Sequence, residues 1–388
     1  MGVTVNDHEL GGLRWLRLAG PRRELFRALG EVAAEEIHDV LHGLPEATAL
    51  GDFARSGHGR GVVDRVVHTT RRLCPREWQE ALDLADGAGF DPEALLLANL
   101  RGDLGGDDGV GCSDLGWRGE RGFIAHNEDG APALDGRFLL LTLAVDDEPA
   151  VTAQWYPGFL PSNAFTLTEG GLAWGINHIQ VARPGPGAGR HFVARALQHQ
   201  RGLDGAIEFL RSCPSAGGFA YTIADLHSGR VAAVEAAAGR VAVTEADGEH
   251  RRLIWHTNHL RQLELGAEDR ASVLPDDGST GTSSTERGVR SLGQREESEA
   301  RGCVLDQLVP PVAGPDTGWF LDVLAGQEMP QGVFRSARGE DPLMTLCSAV
   351  VDVDAARVTL KPRGREPVTL PTKDLLSAEP RHGAAQSA

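Results

Sequence analysis

The chain changes character at Cys112, and that change constrains its fold more than any other feature. Upstream, apolar residues recur at helical spacing. Leu25, Leu29, Val32, Ala33, Ile37, Val40 and Leu41 form one stripe, opposite Arg22, Arg23, Glu31 and Glu35. Further helix-like runs cover 61–72, 76–86 and 91–100, the last with Asp91 as N-cap and Pro92 at the first helical position. A strand is expected ahead of them, at 10–18. Downstream, short apolar runs at 123–126, 138–145, 150–155, 164–168 and 172–176 are punctuated by Gly, Pro, Asp and Asn, the rhythm of antiparallel sheet. A helix pair at 190–200 and 203–212 follows, then strands at 220–225, 231–236, 241–244 and 253–257. The polar stretch 275–301 reads as a surface loop leading into a solvated helix, and a last strand pair occupies 344–353 and 357–361. Helices first, then two blocks of strands around a helix pair, predict an α+β layered fold with two antiparallel sheets face to face and helices outside.

Composition sets the limits. The 388 residues allow one large domain or two ordinary ones, and 41% hydrophobic with 24% charged residues is a soluble globular balance. No apolar run approaches the roughly 18 residues of a membrane span. Residues 1–9 lack the basic and apolar regions of a secretory leader, so a cytoplasmic location is expected. A net charge of −17 argues against nucleic acid or an anionic membrane as partner, since neutralising phosphates takes clustered Lys and Arg. Five scattered cysteines with no CxxC pair suggest neither a disulfide framework nor a zinc cluster, and they leave room for one reactive thiol. Cys213 and Cys347 adjoin regular elements and read as packing residues.

Cys112 is the candidate for that thiol. It follows a run with four glycines, Leu104-Gly105-Gly106-Asp107-Asp108-Gly109-Val110-Gly111, and precedes Ser113-Asp114. A thiol is a weak nucleophile until a base takes its proton, and one base available to Cys112 is its own α-amine, which exists only if the chain cuts itself between Gly111 and Cys112. Such an amine titrates at roughly 7.7–8.0, so it accepts a proton near neutrality where a Lys at about 10.4 does not. Gly111 has no Cβ, so its carbonyl can be bent toward the attacking sulfur. The plainer reading is a Gly-rich turn ahead of a strand, with an inert buried Cys.

Four polar clusters end apolar runs downstream: His126-Asn127-Glu128-Asp129, Gly175-Ile176-Asn177-His178, His256-Thr257-Asn258-His259 and Ser283-Ser284-Thr285-Glu286-Arg287. Each alone reads as turn chemistry. Together with the Gly-Cys junction they supply what a cut nucleophile needs. Asp129 returns across one hairpin to hold the α-ammonium, with Asn127 beside it. Asn177 and Asn258 offer neutral amide donors for an oxyanion. Arg287 favours a thiolate and anchors a carboxylate. Four histidines, His126, His178, His256 and His259, lack a helical HExxH context, so no metal is expected. A papain-like pair is disfavoured because no Gln stands ahead of the Cys and the region after it is strand-rich.

The order of these elements resembles the acyl-coenzyme A:6-aminopenicillanic acid acyltransferase family, cysteine N-terminal-nucleophile hydrolases with the penicillin V and bile-salt amidases as distant relatives. The likeness runs from Ala98-Asn99-Leu100-Arg101 and Asp103 through Gly111-Cys112-Ser113, Asn127-Glu128-Asp129, the Gly170–Asn177 strand, Thr257-Asn258-His259 and Ser284-Thr285-Glu286-Arg287 to a late strand at 345–352. His126 stands where the amidases place an Arg. The resemblance implies a four-layer αββα sandwich and self-cleavage at Gly111–Cys112. The expected organisation is then a mostly helical small chain 1–111, a catalytic chain 112–370 and a disordered tail 371–388, the two products forming a heterodimer, with a higher oligomer left open. It also implies amide hydrolysis or acyl transfer without a cofactor, on a small amide or thioester substrate, a coenzyme A thioester being one candidate acyl donor. Cys112, Asp129, Asn127, Asn177 and Asn258 carry the catalytic expectation; Arg287, His126, Ser284 and His259 carry substrate binding or thiolate stabilisation. The alternative is a noncatalytic, uncleaved small-molecule binder of the same fold.

Overall fold

The computed structural model describes residues 2–44, 46–104, 111–264, 284–338 and 341–377, with backbone alone over 284–294. It opens on a hairpin, β1 (Thr4–Leu10) and β2 (Leu13–Gly20). The single strand expected over 10–18 is therefore the turn and second arm of this hairpin. Gly11 and Gly12 take φ of 57° and 93° and reverse the chain in two residues. Six helices follow: α1 (Arg22–Val32), α2 (Ala34–His42), α3 (Ala47–Arg55), α4 (Gly57–Leu73), α5 (Pro75–Ala88) and α6 (Pro92–Asn99). The stripe over 25–41 is two helices. Ala33, at φ −115°, breaks the run, so Leu25 and Leu29 reach the core from one axis and Ile37, Val40 and Leu41 from another. At α6 the Asp91 carboxylate accepts the Glu93 N–H at 2.9 Å, ahead of Pro92.

Beyond Cys112 come β3 (Ser113–Arg118), β4 (Gly122–Gly130), β5 (Leu139–Val145), β6 (Val151–Trp155), β7 (Thr166–Thr168) and β8 (Leu172–His178). Helices α7 (Arg190–Leu197) and α8 (Gly202–Ser212) lead to β9 (Gly218–Asp225), β10 (Val231–Ala237), β11 (Arg240–Ala246) and β12 (Leu253–His256). The rest is α9 (Ser284–Asp306), α10 (Thr317–Ala325), β13 (Met344–Asp352), β14 (Arg357–Pro362), β15 (Val368–Pro371) and α11 (Thr372–Leu375). Nine strands form one sheet in the order β1-β2-β5-β6-β7-β8-β9-β10-β11, and six form another, β12-β3-β4-β13-β14-β15. β3 and β4 pack on β8, β9 and β10, which puts the sheets face to face. α1 and α8 cover the outside of the large sheet and α9 and α10 that of the small one, giving the four-layer αββα order expected.

The expectation of purely antiparallel sheets needs one correction. β2 lies parallel to β5, from Trp15 beside Leu140 to Gly20 beside Val145. Parallel neighbours need a long crossover, and here it runs through all six N-terminal helices and the β3–β4 hairpin of the other sheet. Segment 1–111 is therefore woven into the same sheet as the chain that follows it.

Two further expectations change. The tail is ordered past Pro371: β15 and α11 carry it to Leu375, 1% exposed, whose carbonyl accepts from Thr142 and Thr152 Oγ1 at 3.0 and 2.7 Å, while 378–388 lie outside the described residues. The helix expected to be solvated buries Ser298, Arg301 and Leu305 against the small sheet, because its polar residues find partners there. No helix among the described residues is long and apolar enough to cross a membrane.

Candidate active site

Alternation along β4 splits its polar residues between two faces. Phe123, Ala125, Asn127 and Asp129 point toward the α9–α10 layer, where Phe123 and Ala125 pack with Phe320 and Leu324. Ile124, His126 and Glu128 point between the sheets. Cys112 stands one residue ahead of β3, whose Ser113 pairs with Asn127, so it comes level with Glu128. Its sulfur takes the Asp129 N–H at 3.5 Å and is 3% exposed. Burial, then the charges of Glu128 and Asp129, push the thiol pKa well above the ordinary value, so it is protonated at neutral pH.

The cavity at this sulfur holds about 20 Å³, room for one water, and Glu128, Tyr156, Arg101, His191 and Phe219 are among its walls. Glu128 accepts from the Tyr156 hydroxyl at 2.5 Å and from His126 Nε2 at 2.9 Å; His126 Nδ1 in turn meets Asp114 at 2.6 Å. Burial alone would lower the His126 pKa, but Asp114 and Glu128 outweigh it and carry the imidazole to about 10. His126 is thus a buried imidazolium clamped by two carboxylates. β8 must pass close to this clamp, and a Cβ at Gly175 would lie 2.4 Å from Asp114 and 2.7 Å from His126. Cys112, His126 and Glu128 offer sulfur, nitrogen and oxygen within 4.8 Å of one another, but both His126 nitrogens are taken up by carboxylates, which suits an ion-pair network better than a ligand set.

On the other face, Asp129 accepts from Thr345 Oγ1 at 2.7 Å, and its Oδ2 has no partner among the described residues. Burial raises the Asp129 pKa, Arg335 and Arg301 oppose it, and the balance is about 7. Arg301, 1% exposed, donates to the Cys112 carbonyl at 2.5 Å, to Ser113 Oγ at 2.9 Å and to Asn258 Oδ1 at 2.6 Å. Arg335 is held by Asp341 and Glu297 at 2.5 and 2.9 Å, and its Nη1 has no partner among the described residues. That nitrogen and Leu343 Cδ1 each lie 2.8 Å from where a Cβ on Gly111 would sit, so a side chain at 111 forces one of them to move.

The other predicted residues fall as follows. Asn127 is spent on the outer layer, donating to the Leu324 carbonyl at 2.6 Å and accepting from Ser348 Oγ at 2.6 Å. Asn177 Nδ2 donates to the His256 carbonyl and Asn258 Nδ2 to the His178 carbonyl, both at 3.1 Å. Neither lines the cavity, though each amide nitrogen carries a second hydrogen. His259 Nδ1 meets Ser298 Oγ at 2.8 Å; burial and then His256 lower its pKa to about 4, so it is neutral at pH 7. Ser284 and Arg287 lie in the backbone-only turns of α9, and their side chains fall outside the described residues.

Among the described residues, Arg301 is the arginine that donates to the Cys112 carbonyl, a contact sequence reasoning missed. The signal was there: Ser298-Glu299-Ala300-Arg301 repeats the Ser-x-x-Arg spacing of Ser284–Arg287 one α9 stretch later. Ser298 joins it, accepting the Asn258 N–H at 2.7 Å and donating to Thr257 Oγ1 at 2.9 Å. Glu235 fixes the same loop by accepting the N–H groups of Arg261, Gln262 and Leu263 at 2.7–3.2 Å.

Among solved structures, the chain is similar to a variant of conjugated bile acid hydrolase from Clostridium perfringens, at 11% identity over 69% of this chain and 95% of that one, TM-score 0.41. Penicillin V acylase from Agrobacterium tumefaciens matches at 12% identity over 69% and 89%, TM-score 0.37. No curated protein sequence matches it. The model of the acyl-coenzyme A:6-aminopenicillanic acid acyl-transferase family matches residues 117–361, from just after Cys112 to the end of the late strand pair, and the chain belongs to that family.

Proposed function

We propose that this chain is an N-terminal-nucleophile acyltransferase or amidohydrolase that cuts itself between Gly111 and Cys112 and then carries acyl groups on the Cys112 sulfur. The observation that carries the reading is a pair of deficits at neighbouring groups: a Cys112 thiol held protonated, and the buried carboxyl of Asp129, the residue whose N–H meets that sulfur, with Oδ2 unpartnered among the described residues. A free α-amine on Cys112 mends both, as base for the sulfur and, once protonated, as cation for Asp129.

In this reading the amine takes the thiol proton as sulfur attacks the carbonyl of a small N-acyl amine or acyl thioester. The tetrahedral oxyanion is met by the spare N–H groups of Asn177 and Asn258, with Asn258 oriented by Arg301. The ammonium returns its proton to the leaving group, and water or an amine then takes the acyl group from sulfur. The water-sized cavity belongs to the uncut chain, so substrate entry follows the cut. The noncatalytic alternative draws on the same small cavity and on the spent asparagine amides.

A reducing denaturing gel with intact mass tests the proposal. Wild-type protein should give fragments 1–111 and 112–388 while Cys112→Ala stays whole; incubation with a panel of N-acyl amines and acyl thioesters should then leave acyl mass on the 112–388 fragment. An unbroken chain with no acyl adduct supports the binder. Reaction with coenzyme A thioesters and not with amides makes transfer the function.

A further inference from the structure

The mechanism leaves three buried thiols unused, Cys74, Cys213 and Cys347, and the first two meet. Cys74 ends α4 and Cys213 ends α8, the first in segment 1–111 and the second far beyond the junction. Their sulfurs are 3.7 Å apart, at 0% and 5% exposure, and neither lines the cavity at Cys112. A disulfide needs the sulfurs at about 2.05 Å, so the two must approach by roughly 1.7 Å from their present contact. All five cysteines are free in this structure, and Cys74 and Cys213 are two thiols in hydrogen-bond contact with each other.

We propose that Cys74 and Cys213 close a disulfide on oxidation by a hydroperoxide, and that in the cut protein this bond tethers fragment 1–111 to fragment 112–388. The bond formation stands on the geometry alone; its role as a tether rests on the self-cleavage reading. Hydrogen peroxide serves as oxidant. The Cys213 thiolate attacks one oxygen, the O–O bond breaks and the other oxygen leaves as hydroxide, giving a sulfenic acid on Cys213. The Cys74 sulfur displaces the sulfenic hydroxyl, the S–S bond forms, and the Cys74 proton leaves with that hydroxyl as water. Two thiols and one peroxide give one disulfide and two waters. The division of roles follows the contact, because the hydrogen bond from Cys74 lowers the Cys213 pKa against its burial, while Cys74 is raised.

The test uses the full-length protein, treated with hydrogen peroxide, blocked with an alkylating agent and digested without reductant. A peptide pair linked through Cys74 and Cys213 is expected in wild type and equally in uncut Cys112→Ala, and its absence from both overturns the proposal. Cys74→Ala and Cys213→Ala should each abolish it; since either could disturb folding, the wild-type peptide map decides on its own. The tether is read from urea unfolding of cut protein at two concentrations. Reduced protein should unfold at a midpoint that rises with concentration, since two fragments must reassociate, and oxidised protein at one that does not. Concentration dependence surviving oxidation refutes the tether. If wild type runs as one band on the reducing gel, the self-cleavage reading fails while the linked peptide still decides the bond.

Discussion

The two faces of β4 carry almost the same chemistry and use it differently. Inward, His126 bridges Asp114 and Glu128 and Tyr156 donates to Glu128, so one imidazolium serves two carboxylates, and Asp114 Oδ2 has no partner among the described residues. Outward, Asn127 has both ends of its amide partnered, but Asp129 is left with an oxygen to spare beside the thiol. A satisfied buried network specifies a structure; an unsatisfied one marks a place where a group is still to come. Under the proposed function, the shared imidazolium of the inner face serves stability, and Asp129, whose backbone N–H meets the Cys112 sulfur, serves chemistry.

Breaking the clamp should have the largest effect. His126→Asn leaves Asp114 and Glu128 buried without their cation, a loss of about 3–5 kcal/mol by urea unfolding in the uncut Cys112→Ala background. The pH profile sharpens this. With the His126 pKa raised from 6.5 to about 10, the clamp contributes fully below the lower value, and its contribution is lost as pH rises through about 10. Stability should therefore fall on the alkaline side in the parent and run flatter in the variant, measured as urea midpoints at several pH values. If His126→Asn keeps the parent's profile in that background and, with Cys112 present, loses only turnover, the assignment of faces is reversed.

On the outer face, Asp129→Asn should leave the fold in place and lower turnover about 10²–10³-fold, because the α-ammonium loses its anion. Arg301→Met should fall with it in the same rate assay, since it holds both the Cys112 carbonyl and Asn258. Asn127→Ala should cost about 1–3 kcal/mol in urea unfolding, by stranding Ser348 and the Leu324 carbonyl, with little change in the rate per folded molecule. A rate loss matching that of Asp129→Asn would return Asn127 to the reacting groups.

The layering was legible because it is written in periodicity: 3.6-residue stripes before Cys112 and short apolar runs after it. Boundaries failed where glycine or one broken φ decided them, at Gly11-Gly12 and at Ala33. At the site, sequence order named Cys112, Asp129 and the Asn258 loop, but it could not choose between two Ser-x-x-Arg runs. That choice depends on which turn of α9 meets the small sheet; Arg301 is buried there, and the Arg287 side chain lies outside the described residues. The Asp114–His126–Glu128 clamp was hidden for a related reason, since reading His126-Asn127-Glu128-Asp129 as one cluster overlooks the alternation that sends its members to opposite faces.

The parallel seam between β2 and β5 fixes an order of events in the life of the molecule. Residues 15–20 pair with β1 at once but gain their second neighbour only when 140–145 have been synthesised, so the proposed self-cleavage at Gly111–Cys112 would act on two sides already interlocked. Severing that bond ejects nothing. The proposed smaller product would remain as two strands of the nine-stranded sheet.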